Sequence, residues 1–311
     1  MLGGLLIGLP LLFTQETWNA GFLLSGWKIL VLLGITSAVV VGYNSLSGFR
    51  RERNTTELLI DSIEAIGLAI VVALVALFVL GRINVSTDPR QVAGTVALEA
   101  IAISIGISVA STQFAGDGSQ GSDDDRGSPS GAPVGSFGRL LVAAGGALLF
   151  ALNVAPTEEP LLLGVEADWW LLLLAMAASF LINLSIVFYA EFRGGRARPP
   201  ADGPISGPLT ETLATYAVSL LVSLLLLWAF GRTDGVSLRA IIGPMIMLGV
   251  VASFGAAAGR LLIVSGNDER DESDEGGGGA AGAEDGRGTG RKKRGRGKRT
   301  SPAPGTAGAG A

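Results

Sequence analysis

Residues 1–27 read MLGGLLIGLPLLFTQETWNAGFLLSGW, and residues 144–170 read AGGALLFALNVAPTEEPLLLGVEADWW. The two stretches align without a gap at a constant offset of 143 residues (144 minus 1). At this offset, small, polar and aromatic residues of the first stretch recur in the second. The matched pairs include Gly3 with Gly146, Thr14 with Thr157, Glu16 with Glu159, and Trp27 with Trp170. Leucine matches are common in any apolar chain, but threonine, glutamate and tryptophan matches at one register are not. The pattern therefore predicts an internal duplication.

The match continues beyond these stretches. Phe49-Arg50 aligns with Phe192-Arg193 at the same offset. A shift of seven more residues aligns LFVLGR at residues 77–82 with LWAFGR at residues 227–232. The sequence therefore predicts a chain of two similar halves.

The composition indicates a membrane protein. Hydrophobic residues make up 49% of the 311 residues, and the mean hydropathy is +0.50. The apolar residues are concentrated in blocks, which is typical of a polytopic membrane protein. The chain contains no cysteine and no histidine, which excludes disulfides, thiolate sites and histidine-based catalysis or metal binding.

A helix needs about 20 residues to cross a hydrocarbon core about 30 Å thick. By this criterion we predict an all-α fold, a polytopic transmembrane helix bundle with about eight spans in two parallel four-helix repeats. The spans are placed at residues 2–20, 27–48, 58–81, 91–112, 137–155, 169–191, 210–231 and 239–264. An even number of spans per half gives both halves the same orientation, related by a pseudo-twofold axis along the membrane normal.

These spans divide the chain into four segments. The first repeat covers residues 1–112 and the second covers residues 137–264, with an acidic Gly/Ser-rich linker at 113–136 and a charged tail at 265–311. Linker and tail are predicted to be disordered, because they cannot bury enough apolar surface to fold. The tail ends in a basic cluster at residues 291–299. Either this cluster is simply solvated, or it binds anionic lipid; no nucleic-acid partner is expected.

Positive charge predicts the orientation. Arginines follow the second span of each half: Arg50, Arg51 and Arg53 in the first, and Arg193, Arg196 and Arg198 in the second. We therefore expect a multi-pass protein of the plasma membrane with both termini in the cytoplasm. The tryptophans then fall near the outer interface, where their rings accumulate: Trp18, Trp27, Trp169, Trp170 and Trp228.

Glu99 is the clearest candidate for chemistry inside a span, because ionisable residues at membrane depth are costly and mark ion or proton pathways. It lies nine residues after Arg90, about 13 Å along a helix. Three interpretations remain open: a pathway residue, a protonated carboxyl that hydrogen-bonds a neighbouring helix, or a misplaced span. The duplication aligns Glu99 with Gly249, so the feature belongs to one half.

The repeated Thr-x-Glu motif is the second candidate. Thr14 and Glu16 end the first predicted span, and Thr157, Glu158 and Glu159 follow a proline at the end of the fifth. Proline interrupts a helix, and interrupted helices at matching positions of two halves point to a transporter site. Carboxylate and hydroxyl oxygens suit a hard cation or a proton. The alternative is that both motifs are the wet outer ends of helices.

Two further patterns have structural explanations. Asp61 and its repeat partner Glu211 lie in the first turns of spans, where a carboxylate interacts favourably with the helix dipole. Small-residue ridges predict close packing of spans 1, 5 and 8 near the middle of the bundle: Gly4-xxx-Gly8, Ala143-xxx-Ala147 and Gly255-xxx-Gly259.

Several stretches resemble a known family. They are GGLLIGLPLLFTQETW from residue 3, GFR from residue 48, DSIEAIG from residue 61, EAIAISIGISVA from residue 99 and ALLFALNVAPTEE from residue 147. Together they are similar to a family of prokaryotic integral membrane proteins, domain of unknown function 2391, over residues 3 to 264. The resemblance implies a membrane protein and brings no assigned activity, substrate or cofactor.

Two functions are compatible with the sequence. The first is a transporter or channel for cations or protons that uses Glu99 and the two Thr-x-Glu motifs. The second is a non-transporting membrane scaffold or sensor that acts through the linker and tail. No enzymatic activity, cofactor or resident metal is expected, because no nucleophile has a suitable base at membrane depth.

Overall fold

The computed structural model describes residues 8, 10–47, 55–114, 136–193 and 207–277. Within these residues the chain is helical and contains no strand. The helices are α1 (Gln15–Leu23), α2 (Gly26–Ser47), α3 (Thr55–Val79), α4 (Pro89–Phe114), α5 (Ser136–Leu152), α6 (Glu159–Glu166), α7 (Trp169–Arg193), α8 (Pro208–Ala229) and α9 (Leu238–Gly277). A helical turn at residues 10–12 precedes α1.

Six helices in the described part of the chain are long and apolar enough to cross a membrane. These segments are Gly26–Ser45, Thr56–Val79, Pro89–Ala110, Trp169–Phe188, Leu209–Ala229 and Leu238–Arg260, and all six begin at or close to the predicted starts. They confirm an all-α polytopic helix bundle. The apolar part of α5, Phe137–Leu152, is shorter, and residues 2–7 and 9 of the first predicted span lie outside the described residues. The count of eight spans stays a prediction.

The first predicted span differs from the structure. One continuous helix over residues 2–20 is wrong, because the chain leaves helical geometry at residues 13–14 and α1 begins at Gln15. Thr14 has an extended backbone (φ −95°, ψ 113°) and is the N-cap of α1, so it begins a helix instead of ending one. Its hydroxyl donates a 2.6 Å hydrogen bond to the Pro10 carbonyl, and such local bonds compete with helix continuation.

Helix α4 is the innermost span. In its apolar segment 72% of residues are buried, against 22% in that of α7. It packs against α1, α2, α3 and α5. Large apolar side chains on α3 and α7 remain exposed, as lipid-facing helices require: Ile63, Val71 and Phe78, and Leu173, Leu174 and Leu181. A polar side chain on the buried face of α4 is therefore withdrawn from both water and lipid.

A close contact joins α5 and α9. A Cβ atom on Gly146 would overlap the Gly255 carbonyl and press on Gly259. Ala143 and Ala147 of α5 are fully buried. Small residues thus let the two helix backbones touch, as predicted for spans 5 and 8.

The helix ends of the two halves correspond. Helix α3 is followed by Gly81 (φ 69°) and α8 by Gly231 (φ 73°), a left-handed conformation that glycine adopts without strain. The N–H of the next arginine closes each end in a Schellman-type bond: Arg82 to the Leu77 carbonyl (2.9 Å) and Arg232 to the Leu227 carbonyl (2.8 Å). These ends agree with the duplication, which stays a prediction for the halves as a whole.

The two predicted halves share one core. Tyr43 of α2 donates a 2.9 Å hydrogen bond to the Val142 carbonyl of α5, and the described residues up to Arg270 pack as one compact unit. Helix α9 continues through Gly277, past the predicted start of the tail at residue 265. Most of the linker, most of the tail and five of the six clustered arginines (all but Arg193) lie outside the described residues.

Candidate functional site

Glu99 lies midway along the span formed by α4. Ten residues separate it from the first residue of the helix, about 15 Å at 1.5 Å per residue. Its side chain is fully buried (0% exposed). Among the described residues, neither of its carboxyl oxygens has a hydrogen-bond partner. A misplaced span, or a carboxyl hydrogen-bonded to a neighbouring helix, therefore finds no support in the structure.

A carboxyl in this position is stable only when its charge is neutralised. Desolvating its charged form costs several kcal/mol in a protein interior, and leaving any buried polar group without a partner also costs free energy. The group needs a proton or a cation to neutralise it. Reversible loading of that kind is the chemistry by which membrane-buried carboxylates serve proton and ion pathways.

The first Thr-x-Glu motif forms the start of α1. Thr14 is partly exposed and is held by its bond to the Pro10 carbonyl. Glu16 is exposed in the first turn of the helix, where a carboxylate interacts favourably with the helix dipole. This geometry matches a wet helix end.

The second motif is built in the same way. The Thr157 hydroxyl donates a 2.8 Å hydrogen bond to the Val154 carbonyl just after α5 ends. Glu158 and Glu159 are exposed at the N-cap and first residue of α6. The Thr157 hydroxyl can donate to the Glu159 carboxylate in place of the Val154 carbonyl, and this bond, together with bonds from the backbone N–H groups of Glu159 and Glu158, lowers the pKa of the Glu159 carboxyl. This carboxyl is therefore ionised at neutral pH.

The structure does not bring these motifs together with Glu99. The three motif carboxylates, Glu16, Glu158 and Glu159, are exposed at helix starts, whereas Glu99 is buried inside the bundle. Within the described ranges, no group of three or more acidic side chains could hold a metal ion. A role for Thr14, Glu16, Thr157, Glu158 and Glu159 in an ion pathway stays a hypothesis, and the site is centred on Glu99.

One end of the bundle, which we call the tryptophan end, carries indole rings paired with cations. Each of three cations lies over a ring: Arg82 on Trp18 (3.8 Å to the centroid), Arg239 on Trp169 (4.2 Å) and Lys28 on Trp228 (5.4 Å). Trp27 packs edge-on against Trp228, with centroids 5.1 Å apart. Helices α2, α4, α7 and α9 begin at this end, which is the end predicted to face the outer interface.

Residues 1–263 match the family described as "Putative integral membrane protein (DUF2391)". The chain belongs to this family. No curated protein and no solved structure matches it. Membership confirms the resemblance found in the sequence and establishes an integral membrane protein. The family description names no activity, so the function of this DUF2391 protein has to be argued from its site.

This DUF2391 protein has a largely buried ionic cluster, not predicted from the sequence, at the end opposite the tryptophan end. Glu211, near the start of α8, lies 2.6 Å from the Arg260 guanidinium of α9 and 2.9 Å from that of Arg139 in α5. The three side chains are at most 17% exposed. The helix dipole alone therefore does not account for Glu211. Each arginine interrupts an apolar stretch near a span end, which is the signal that could have revealed the cluster.

A second overlooked contact joins the two halves at the tryptophan end. Lys28 of α2 is 7% exposed and donates 2.9 Å hydrogen bonds to the Asp234 carboxylate and to the Trp228 carbonyl. It thereby fastens α2 to the connection between α8 and α9. In both overlooked clusters the protein itself supplies the opposite charge, whereas none of the described residues supplies one to Glu99.

Proposed function

We propose that this chain moves protons or a small cation across the plasma membrane, as a secondary transporter or a channel, and that Glu99 binds the moving charge. The observation that carries the proposal is a fully buried carboxyl, midway along the innermost span, that has no hydrogen-bond partner among the described residues. In this proposal both termini lie in the cytoplasm, as the arginine distribution predicts. The chain then acts as a transporter and not as an enzyme.

Charge compensation supports the proposal. The buried charges of Lys28 and Glu211 have ionic partners at 2.9 Å and 2.6 Å. A fold that neutralises these charges with its own side chains leaves Glu99 to be neutralised by something mobile. A proton or a cation that enters and leaves the site fits this requirement.

Interrupted helices give a second line of support. The first half breaks at residues 13–14 before α1, and the second half breaks between Leu152 and Glu159 before α6. In transporters built from repeats, discontinuous helices at matching positions form substrate and ion sites. The break of the first half leads into α1, which packs on the helix that carries Glu99.

A membrane scaffold or sensor is the second candidate function. It is favoured by the charge pattern of the tail, which is acidic at residues 268–275 and basic at residues 291–299. Such a basic cluster binds anionic lipid at moderate salt. In this case Glu99 would contribute to folding and not to transport.

Ion flux in proteoliposomes tests the proposal. Flux is followed with a pH-sensitive dye under imposed gradients of protons and alkali cations. We expect Glu99→Gln to abolish flux, because glutamine keeps the shape but cannot ionise, and Glu99→Asp to retain part of it. Glu64→Gln removes an exposed carboxylate from α3 and should leave flux unchanged.

Thermal unfolding in detergent controls for damage to the fold. In buffer without alkali cations, Glu99→Gln should unfold close to the native temperature, since without a bound cation it exchanges one uncharged hydrogen-bonding group for another. Undiminished flux in Glu99→Gln would remove Glu99 from the pathway. No flux through the native protein under any gradient would leave the scaffold as the better interpretation.

A further inference from the structure

The surroundings of Glu99 define the class of ion more narrowly. We propose that Glu99, Thr17 and Thr36 together bind one dehydrated monovalent cation, such as Na⁺, between α1, α2 and α4. This inference rests on the proposed function and names its substrate. Neither threonine stands out in the sequence, because only the packing of the three helices brings them to one place.

The contact between α1 and α4 places Thr17 opposite Glu99. Gly21 of α1 packs so closely on Gly94 and Thr95 of α4 that a Cβ atom would overlap their backbone. Thr17 lies one turn before Gly21 on the same face of α1, and Glu99 lies one turn after Thr95 on the same face of α4. When two helices run antiparallel, a side chain one turn before their contact on the first helix faces the side chain one turn after that contact on the second helix.

Further contacts establish that the pair is antiparallel. Residues that lie earlier in the chain than Gly21 contact residues that lie later in α4. The Trp18 carbonyl accepts a 3.5 Å hydrogen bond from Thr95, and Leu12 belongs to the same apolar cluster as Val96, Ala100 and Ile103. Gly8 packs on Ile103. Thr17 lies between Trp18 and Leu12. It therefore faces the turn of α4 between Thr95 and Ala100, which contains Glu99.

Thr36 of α2 lies at the same depth. It follows the first residue of α2 by ten residues, as Glu99 follows the first residue of α4. Helix α3 returns between them, so α2 and α4 run in the same direction, and the two helices are in contact. Thr36 is thus a third oxygen-bearing side chain at the level of Glu99.

All three side chains lack a hydrogen-bond partner in the part of the chain that the structure describes. Thr17, Thr36 and Glu99 are each 0% exposed. Their hydroxyl and carboxyl oxygens have no hydrogen-bond partner among the described residues. Buried polar atoms are normally satisfied by protein, water or a ligand. Three unsatisfied groups on helices that meet at one depth point to a shared ligand.

The chemistry of these groups selects a monovalent cation. Carboxylate and hydroxyl oxygens are hard ligands, which suit alkali and alkaline-earth cations. One carboxylate neutralises one positive charge, whereas a divalent cation would keep an uncompensated charge in a low-dielectric interior. The threonine oxygens replace water around an ion that has lost its hydration shell.

The second predicted half contains a similar glycine contact between two helices, but the side chains one turn from that contact carry no oxygen. Gly164 of α6 packs on Gly243 and Pro244 of α9 with no room for a Cβ atom. One turn from this contact lie Pro160 and Leu248, both buried. Neither side chain can bind a cation, so the proposed site belongs to the first half.

Equilibrium binding of radioactive ²²Na⁺ to the purified full-length protein tests the inference. We expect one Na⁺ per chain, displaced by Li⁺ or K⁺ but not by Mg²⁺ or choline. Thr17→Val and Thr36→Val remove a hydroxyl at similar volume and should each weaken Na⁺ binding about tenfold or more, while Thr17→Ser restores it. Glu99→Gln should abolish binding. Thr212→Val, which alters another fully buried threonine, should leave it unchanged.

The outcomes separate this inference from the proposed function. Na⁺ binding that both valine variants leave unchanged, or a preference for Mg²⁺, overturns the inference. Glu99-dependent proton flux in a protein that binds no Na⁺ at any pH also overturns it, but leaves the proposed function intact. Na⁺ binding without Glu99-dependent flux overturns the proposed function alone. As a second readout, Na⁺ should raise the Tm of the native protein and not that of Glu99→Gln.

Discussion

Glu99 and Glu211 are both buried carboxyls, and the protein treats them in opposite ways. Glu211 lies within ion-pair distance of Arg139 and Arg260, so its charge is permanently compensated. Glu99 has no hydrogen-bond partner in the described part of the chain. A fixed ion cluster stabilises one arrangement of helices, whereas an uncompensated carboxyl can exchange a proton or a cation. Glu211 is therefore suited to stabilising the fold, and Glu99 is the residue that we propose for transport.

This contrast predicts different stability effects. Glu211→Gln should destabilise the protein by about 3 kcal/mol, because it removes the charge of a buried carboxylate that two partly buried guanidinium groups share. Glu57→Gln changes an exposed first-turn carboxylate of α3 and should shift stability by no more than about 0.5 kcal/mol. Chemical unfolding in detergent measures both. Equal effects of the two variants would show that the ionic cluster contributes little.

The short helices α1 and α6 depend on their packing. A helix of nine residues, such as α1, has little stability of its own in the absence of tertiary contacts. Glycine contacts with α4 and α9 hold the two helices against the bundle. In the first half the same contact brings Thr17 to Glu99, so the position of α1 determines both the fold and the proposed ion site.

Alanine substitutions test these contacts. Gly94→Ala and Gly243→Ala place a Cβ atom against the backbone of α1 or α6 and should destabilise by about 1–3 kcal/mol. Gly67→Ala is the matched control, since nothing lies within 4 Å of its added Cβ atom; it should stabilise α3 by up to about 1 kcal/mol. If ²²Na⁺ binding weakens in Gly94→Ala and not in Gly243→Ala, the first contact also positions the ion site. If both variants unfold as the native protein does, the contacts of α1 with α4 and of α6 with α9 can accommodate a Cβ atom at little cost in stability.

For the molecule as a whole, the sequence predicted features that are local in the chain. Apolar blocks of sufficient length marked the six long spans, and an isolated carboxylate inside one of them marked Glu99. The break at residues 13–14 was missed, because it lies where the apolar run ends at Phe13, and the polar residues that follow were interpreted as the end of the same helix. The turn is closed by local bonds that include the one from the Thr14 hydroxyl to the Pro10 carbonyl. The ion pairs of Glu211 and the close contact of Gly21 with Gly94 and Thr95 depend on how helices meet, which no local pattern encodes.

The sequence alignment and the glycine contacts give different pairings between residues of the two predicted halves. Sequence alignment placed Gly249 opposite Glu99. The glycine contacts instead match Gly94 with Gly243, an offset of 149 residues, and so place Leu248 opposite Glu99. Leu248 is fully buried, as Glu99 is. The two predicted halves thus differ at the position proposed to bind an ion.

The division between bundle and tail leads to a prediction for the whole chain. Deleting residues 271–311 should leave membrane insertion, thermal unfolding and ion flux unchanged. The described residues up to Arg270 pack as one unit, and the deleted segment is rich in glycine and charge without apolar periodicity. Membrane fractionation, unfolding in detergent and proteoliposome flux measure the three properties.

A chain that ends at residue 250 is the matched control, because it cuts the last apolar segment, Leu238–Arg260, and removes Arg260 from the Glu211 cluster. This variant should be lost from the membrane or unfold at a much lower temperature. If the 271–311 deletion behaves like this control, the tail has a structural role. If it keeps flux but no longer binds anionic vesicles, the tail serves as a lipid anchor for a transporter that works without it. If it keeps the fold and loses every measurable activity, the tail itself performs the function and the scaffold replaces the transporter.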